Sequence, residues 1–209
     1  LNILGTSSAN AVWEVSVDWL PIDNLRFSGN FLFDEFVLDR IQFEEGKENG
    51  KAYSGRISYT PIMVETVLLT TYFSLISVGT PTFRHGNGMN NFVQRDKPLG
   101  WEYGSDGKEI IFGVNYFNRK NLIARFEIAK IAKGEENLTL RPYDTYVDYL
   151  KGKFPSGTVD ESLLVKSELQ FWFKSNIALI GKLKYLSDSK TITSVVMGFN
   201  VNFPKNITI

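Results

Sequence analysis

The chain of 209 residues contains no cysteine and only one histidine, His85. The first absence excludes a disulfide framework and a thiolate metal site. The second excludes a metal centre built from several imidazoles. Net charge is lacking as well, because 23 basic and 23 acidic side chains balance. A nucleic-acid binder needs a basic face or stripe, so nucleic acid is not an expected partner. Ser54-Gly55 and Ser156-Gly157 lack the glycine pattern of a nucleophile elbow, and His85 has no second histidine or serine–acid partner in its segment. No catalytic residue, cofactor or metal is therefore expected. Asn137-Leu138-Thr139 and Asn206-Ile207-Thr208 match the glycosylation acceptor pattern, a three-residue match that reads as chance. The chain begins at Leu1, and no charged-then-apolar leader precedes Gly5. The reading is a mature form or a fragment, with the N-terminal strands and signal peptide missing.

A membrane helix is excluded too. Thr66 to Phe83 is uncharged and about as long as a spanning helix, but it is rich in Thr and Ser and closes on Gly79 and Pro81. A strand followed by a loop fits it better.

What the chain does have is alternation, in a background that is 14% aromatic. In Thr191 to Phe203 the residues Val195, Met197, Phe199, Val201 and Phe203 are apolar, and those between them are mostly small or polar. A period of two marks a strand with one apolar and one wet face. Eight further strands are expected: Val12 to Leu20, Leu25 to Phe33, Ala52 to Thr60, Val64 to Ser77, Lys108 to Phe117, Asn121 to Ile131, Ser162 to Phe173 and Ile177 to Leu186. The fourth is apolar on both faces, which leaves its register open. A short helix is expected at Phe36 to Phe43 in a charged, solvated stretch.

Connection lengths alternate as well. Pro21 to Asn24, Pro61 to Met63, Asn118 to Lys120 and Lys174 to Asn176 are short, whereas Asp34 to Lys51, Val78 to Gly107 and Ala132 to Glu161 are long. Outer-membrane barrels have short periplasmic turns and long external loops. The expected fold is an all-β, antiparallel up-and-down transmembrane β-barrel. About nine strands is an odd number, which points to the C-terminal part of a larger barrel. A soluble sandwich explains the alternation equally well, but not the alternating connections or the successive charges on one face. Gly198 to Phe203 resembles the C-terminal signal by which barrel-insertion machinery recognises its clients.

On this reading Arg26, Arg56, Arg125, Glu127, Lys166, Glu168 and Lys182 face a wet lumen, while Phe27, Phe31, Phe112, Phe126, Phe171, Phe199 and Phe203 face outer-membrane lipid. The Val78 to Gly107 loop carries Phe83-Arg84-His85-Gly86-Asn87-Gly88, then Lys97-Pro98-Leu99-Gly100-Trp101-Glu102-Tyr103-Gly104-Ser105-Asp106. Its Pro-Leu-Gly segment with a nearby Asp, the Ile110 to Phe117 strand, the Asn118-Arg119-Lys120-Asn121 turn and the Phe31 to Phe36 segment resemble the Wzi family of capsule-assembly barrels. Trp101-Glu102-Tyr103 departs from that family's pattern. The resemblance implies a non-enzymatic barrel in the outer membrane of a Gram-negative bacterium that holds capsular or exopolysaccharide at the cell surface. Trp101 and Tyr103 are then candidates to stack on sugar rings, and Arg84, Asn87 and Asp106 to bond hydroxyls or acidic sugars. The mixed-charge lumen keeps a second reading open, a porin-like or transport barrel for small solutes.

Overall fold

The computed structural model describes residues 12–35, 40–44, 48–84, 91–95, 97–138, 153–188 and 190–202. Nine long strands form one antiparallel sheet: β1 (Trp13–Ile22), β2 (Leu25–Glu35), β3 (Gly50–Val64), β4 (Val67–Val78), β7 (Gly107–Phe117), β8 (Leu122–Lys133), β9 (Asp160–Lys174), β10 (Ile177–Ser187) and β11 (Ile192–Val201). Each pairs with the strand before it, in the order β1-β2-β3-β4-β7-β8-β9-β10-β11. The two-residue strands β5 (Val93–Gln94) and β6 (Lys97–Pro98) pair inside the long loop before β7. The only helix among the described residues is α1, Arg40–Glu44. It overlaps the expected helix at Phe36 to Phe43 over residues 40–43, and residues 36–39 lie outside the described set. The up-and-down antiparallel meander is as expected. The described sheet is open, with β1 and β11 as its edges.

Several boundaries differ from expectation by a few residues, and two of the shifts fall at proline. Pro21 and Pro61 were expected in turns, but β1 and β3 run through them, and the turns are Asp23–Asn24 and Glu65–Thr66. The pairing register shifts between Trp19 and Ile22 and again between Tyr59 and Ile62. A bulge leaves one residue outside the ladder, so the missing proline N–H costs no hydrogen bond there. The Asn118 turn is held by its own side chain: Oδ1 accepts from the backbone N–H groups of Lys120, Asn121 and Leu122. That asparagine-centred turn fixes the β7–β8 register.

Register assigns every side chain to a face. One continuous row of partners runs Trp19, Phe27, Ile57, Phe73, Phe112, Ile128, Val165, Tyr185. Two rows on the opposite face run Glu127, Lys166, Lys184, Ser194 and Arg125, Glu168, Lys182, Val196. Arg26 and Arg56 lie on that second face too, opposite Ser58 and between Ser28 and Ser74. All seven expected lumen charges therefore share one face. Of the seven phenylalanines, Phe31, Phe112, Phe126 and Phe199 are exposed on the other, Phe199 at 75%. Phe27 and Phe171 are half-buried on that face, Phe27 against Trp19 at 5.6 Å and Phe171 against Phe173 at 5.0 Å. Phe203 lies outside the described residues. No second sheet covers the apolar face among the described residues, so no sandwich core forms there.

The ambiguous strand β4 takes its register from a single large side chain. Tyr72 lies on the charged face, reaches across Gly113 of β7, and donates its hydroxyl proton to Glu127 of β8. The Arg56 guanidinium sits 3.6 Å from the Tyr72 ring centroid. A Cβ on Gly113 would lie 2.1 Å from Tyr72 Cζ, so only glycine leaves room for the ring. Gly113→Ala is therefore expected to destabilise the sheet by about 1–3 kcal/mol through overpacking. Urea unfolding should show this loss, and adding Tyr72→Ala should recover part of it.

Candidate functional site

The charged face has two zones. Towards the short turns it is a wall of charge. Arg26 grips Asp18 with two bonds of 2.7 and 2.6 Å. Glu168 is shared between Arg125 at 3.8 Å and Lys182 at 3.3 Å. Exposed pairs of this kind contribute little to stability, so they mainly keep the wall wet and internally neutralised. A groove of about 400 Å³ runs along it, lined by Arg125, Glu127, Lys166, Glu168, Lys182, Lys184 and Ser194.

Towards the long loops the same face turns apolar, and the loops fold onto it. Ala52, Val78, Ala129, Ile131 and Leu164 of the sheet form a core with Phe83, Trp101 and Leu138 of the loops. Trp101 lies against Gly107 and donates its indole N–H to Glu109 at 2.9 Å. Phe83 stacks on Phe92 at 5.2 Å, and its backbone N–H reaches Asp34 at 2.6 Å.

The polar centre of this lid is Asp106, which is fully buried. Its carboxylate accepts from Thr80 Oγ1 at 2.8 Å, Ser156 N at 3.0 Å, Glu136 N at 3.1 Å and the Ser156 hydroxyl. One side chain thereby ties together three loop segments. Gly134 passes so close that a Cβ there would lie 2.0 Å from Asp106 Oδ2. Beside it, the buried Arg84 and Glu136 form an ion pair at 3.2 Å, and Arg84 also donates to the Glu136 carbonyl at 2.9 Å. A buried pair holds only while both partners are present. Asn137 bonds the carbonyls of Tyr103 at 2.5 Å and Ser105 at 2.9 Å.

Four of the five candidate sugar-contacting residues fall in this lid. Arg84 and Asp106 are buried, with polar groups engaged inside the protein, and Trp101 is only 7% exposed. Tyr103 is half-buried against Trp101, with ring centroids 5.2 Å apart. Burial, more than the nearby Glu102 and Glu109 charges, pushes its phenol well above the usual tyrosine range. Asn87 and His85 lie outside the described residues. The four described residues thus build the lid. Ser156 is buried on Asp106, and Ser54 accepts a weak bond from Asn30 at 3.3 Å on the open wall. Among the described residues no three His, Asp or Glu side chains come together as metal ligands.

Tyr72, Gly113, Glu136, Asn137 and Ser156 are structurally central, yet the sequence reading gave none of them a role. Their partners lie 20 or more residues away along the chain, beyond the reach of any local motif. Comparison of the chain with protein-family models, with curated proteins and with solved structures finds no match.

Two substitutions separate anchor from bystander. Asp106→Ala orphans buried donors at roughly 1–3 kcal/mol each, and limited proteolysis should then cut the loops before β7 and after β8 while the sheet survives. Among the described residues the buried Tyr103 hydroxyl has no hydrogen-bond partner, so Tyr103→Phe should leave proteolysis unchanged and the unfolding midpoint the same or higher.

Proposed function

We propose that this chain is part of the wall of a bacterial outer-membrane β-barrel that holds surface polysaccharide, without enzymatic activity of its own. The observation that carries the membrane half is the uncovered apolar face. Soluble monomers rarely expose contiguous apolar patches beyond a few hundred Å², yet here Trp13, Val15, Val17 and Trp19 of one strand are each at least 60% exposed. Trp13 and Trp19, like Tyr53 and Tyr59, stand six residues apart, roughly 20 Å along a strand. Aromatic rings at that spacing, with Val15, Val17 and Ile57 between them, suit the two interfacial girdles of an apolar band about 25 Å tall. A charged side chain on lipid costs roughly 2–4 kcal/mol at the midplane; along β8, β9 and β10 Arg125, Glu127, Lys166, Glu168, Lys182 and Lys184 are gathered on the other face, and Lys130 and Glu161 pair on the apolar face only towards the long loops. Lipid tolerates no open sheet edge, so β1 and β11 would meet further strands or each other. The barrel-insertion machinery is the natural partner of the C-terminal strand.

The polysaccharide half rests on the Wzi-like features of the sequence and on the loops. Loops packed onto the charged face at that end would narrow the mouth of a closed barrel, which suits one that binds at its surface better than one that conducts freely. The charged groove favours a second reading, a porin-like or transport barrel for small solutes. Reconstitution of the full-length protein separates the two. Proteoliposomes are expected to retain fluorescent capsular polysaccharide, and planar bilayers to show no large steady pore. A large steady conductance without polysaccharide retention would establish the second reading instead.

A further inference from the structure

The wall of charge is not neutralised evenly along its length. Four cations, Arg125, Lys166, Lys182 and Lys184, face two carboxylates, Glu127 and Glu168, across β8, β9 and β10; Glu109 of β7, on the same face, reaches Lys166 only through its field and bonds Trp101. Glu168 is taken by Arg125 and Lys182. Glu127 stands opposite Lys166 in the register, but its carboxylate accepts the Tyr72 hydroxyl proton. Neither the Lys166 nor the Lys184 ammonium has an ion-pair or hydrogen-bond partner among the described residues. These two lysines are direct cross-strand partners, with no register shift at their position to separate them.

Like charges directly opposite each other destabilise an antiparallel pair. A ladder built only for stability would place a carboxylate at one of the two positions, and the row instead continues to the neutral Ser194. Two ammonium groups and a hydroxyl therefore point from adjacent strands into one groove. Each ammonium is a strong donor to an ionised acceptor, and the hydroxyl can donate as well.

We propose that Lys166, Lys184 and Ser194 form an oxyanion site that holds the carboxylate or sulfate of an acidic sugar. The saccharide part of this proposal rests on the polysaccharide reading above; the oxyanion part does not. Glu127 and Glu168 border the site and restrict it to groups small enough to sit between the two lysines. Lys182 and Arg125 lie one row away, where they draw the rest of an acidic chain along the wall.

The test is calorimetry on the full-length protein in detergent micelles, with tetragalacturonate, neutral maltotetraose and sodium sulfate as probes. Tetragalacturonate is expected to bind, more weakly as salt rises, while maltotetraose does not. Lys166→Gln and Lys184→Gln should each weaken binding roughly tenfold, as expected for one lost charge-assisted contact. Ser194→Asp should abolish it by supplying the missing carboxylate. Lys130→Gln, which breaks only the exposed pair with Glu161 on the other face, should change nothing. Circular dichroism confirms that each variant is folded. If tetragalacturonate binds equally well to all variants, the site is wrong while the polysaccharide reading stands. If sulfate alone binds, and is lost in the lysine variants, the oxyanion site stands and the polysaccharide reading fails. If neither acidic probe binds, the site is overturned.

Discussion

The structure depends on one constraint: the pleat sends alternate side chains to opposite sides, so a single register decides what each of nine strands shows on each face. A one-residue slip in any strand would move its charges among the phenylalanines. Arg125, Glu127, Lys166, Glu168, Lys182 and Lys184 lie on one face because β8, β9 and β10 pair without interruption through that region. Where register could drift, specific devices hold it. Tyr72 pins the otherwise ambiguous β4 through Gly113 to Glu127, and Asn118 closes the β7–β8 turn with three bonds to one oxygen.

The lid follows from the same constraint. At the long-loop end the charged face gives way to Ala52, Val78, Ala129, Ile131 and Leu164, which need cover in water. The loops supply Phe83, Trp101 and Leu138, and their polar backbone is then satisfied by Asp106, Asn137 and Ser105 instead of by solvent. A buried carboxylate accepting several hydrogen bonds is stable only as a completed network. Asp106 therefore belongs to the architecture of the lid, and the open chemistry of this face lies further down the wall, where Lys166 and Lys184 have no ion-pair partner among the described residues.

The strands and their faces were legible in the sequence because both are local properties. Alternation in Trp13 to Trp19, or in Ile110 to Tyr116, reports the wet and dry sides without knowledge of any partner. The ends of β1 and β3 are less legible, because Pro21 and Pro61 have the character of strand breakers and a bulge absorbs each of them. The loop residues were harder still. Arg84, Trp101 and Asp106 are polar or amphipathic residues in a glycine-rich loop, a composition that suggests a binding surface. Their burial depends on Glu136, Glu109 and Ser156, which no spacing rule connects to them. Asn137 looked like a chance glycosylation pattern and serves as a clamp across two carbonyls. The lysine row was visible as alternation in β9 and β10, but that Lys166 and Lys184 oppose each other required the pairing register.

The central claim is that the apolar face meets lipid and the charged face meets water. The absence of cysteine from these 209 residues suits them to single-site labelling. Nitroxide labels placed singly at Phe112→Cys, Phe126→Cys, Arg56→Cys and Lys166→Cys in the full-length protein, reconstituted in bilayers, report accessibility to oxygen and to a water-soluble nickel chelate. The account predicts high oxygen and low nickel accessibility at positions 112 and 126, and the reverse at 56 and 166. Equal nickel accessibility on both faces, or labels at 112 and 126 shielded from both reagents, would contradict it.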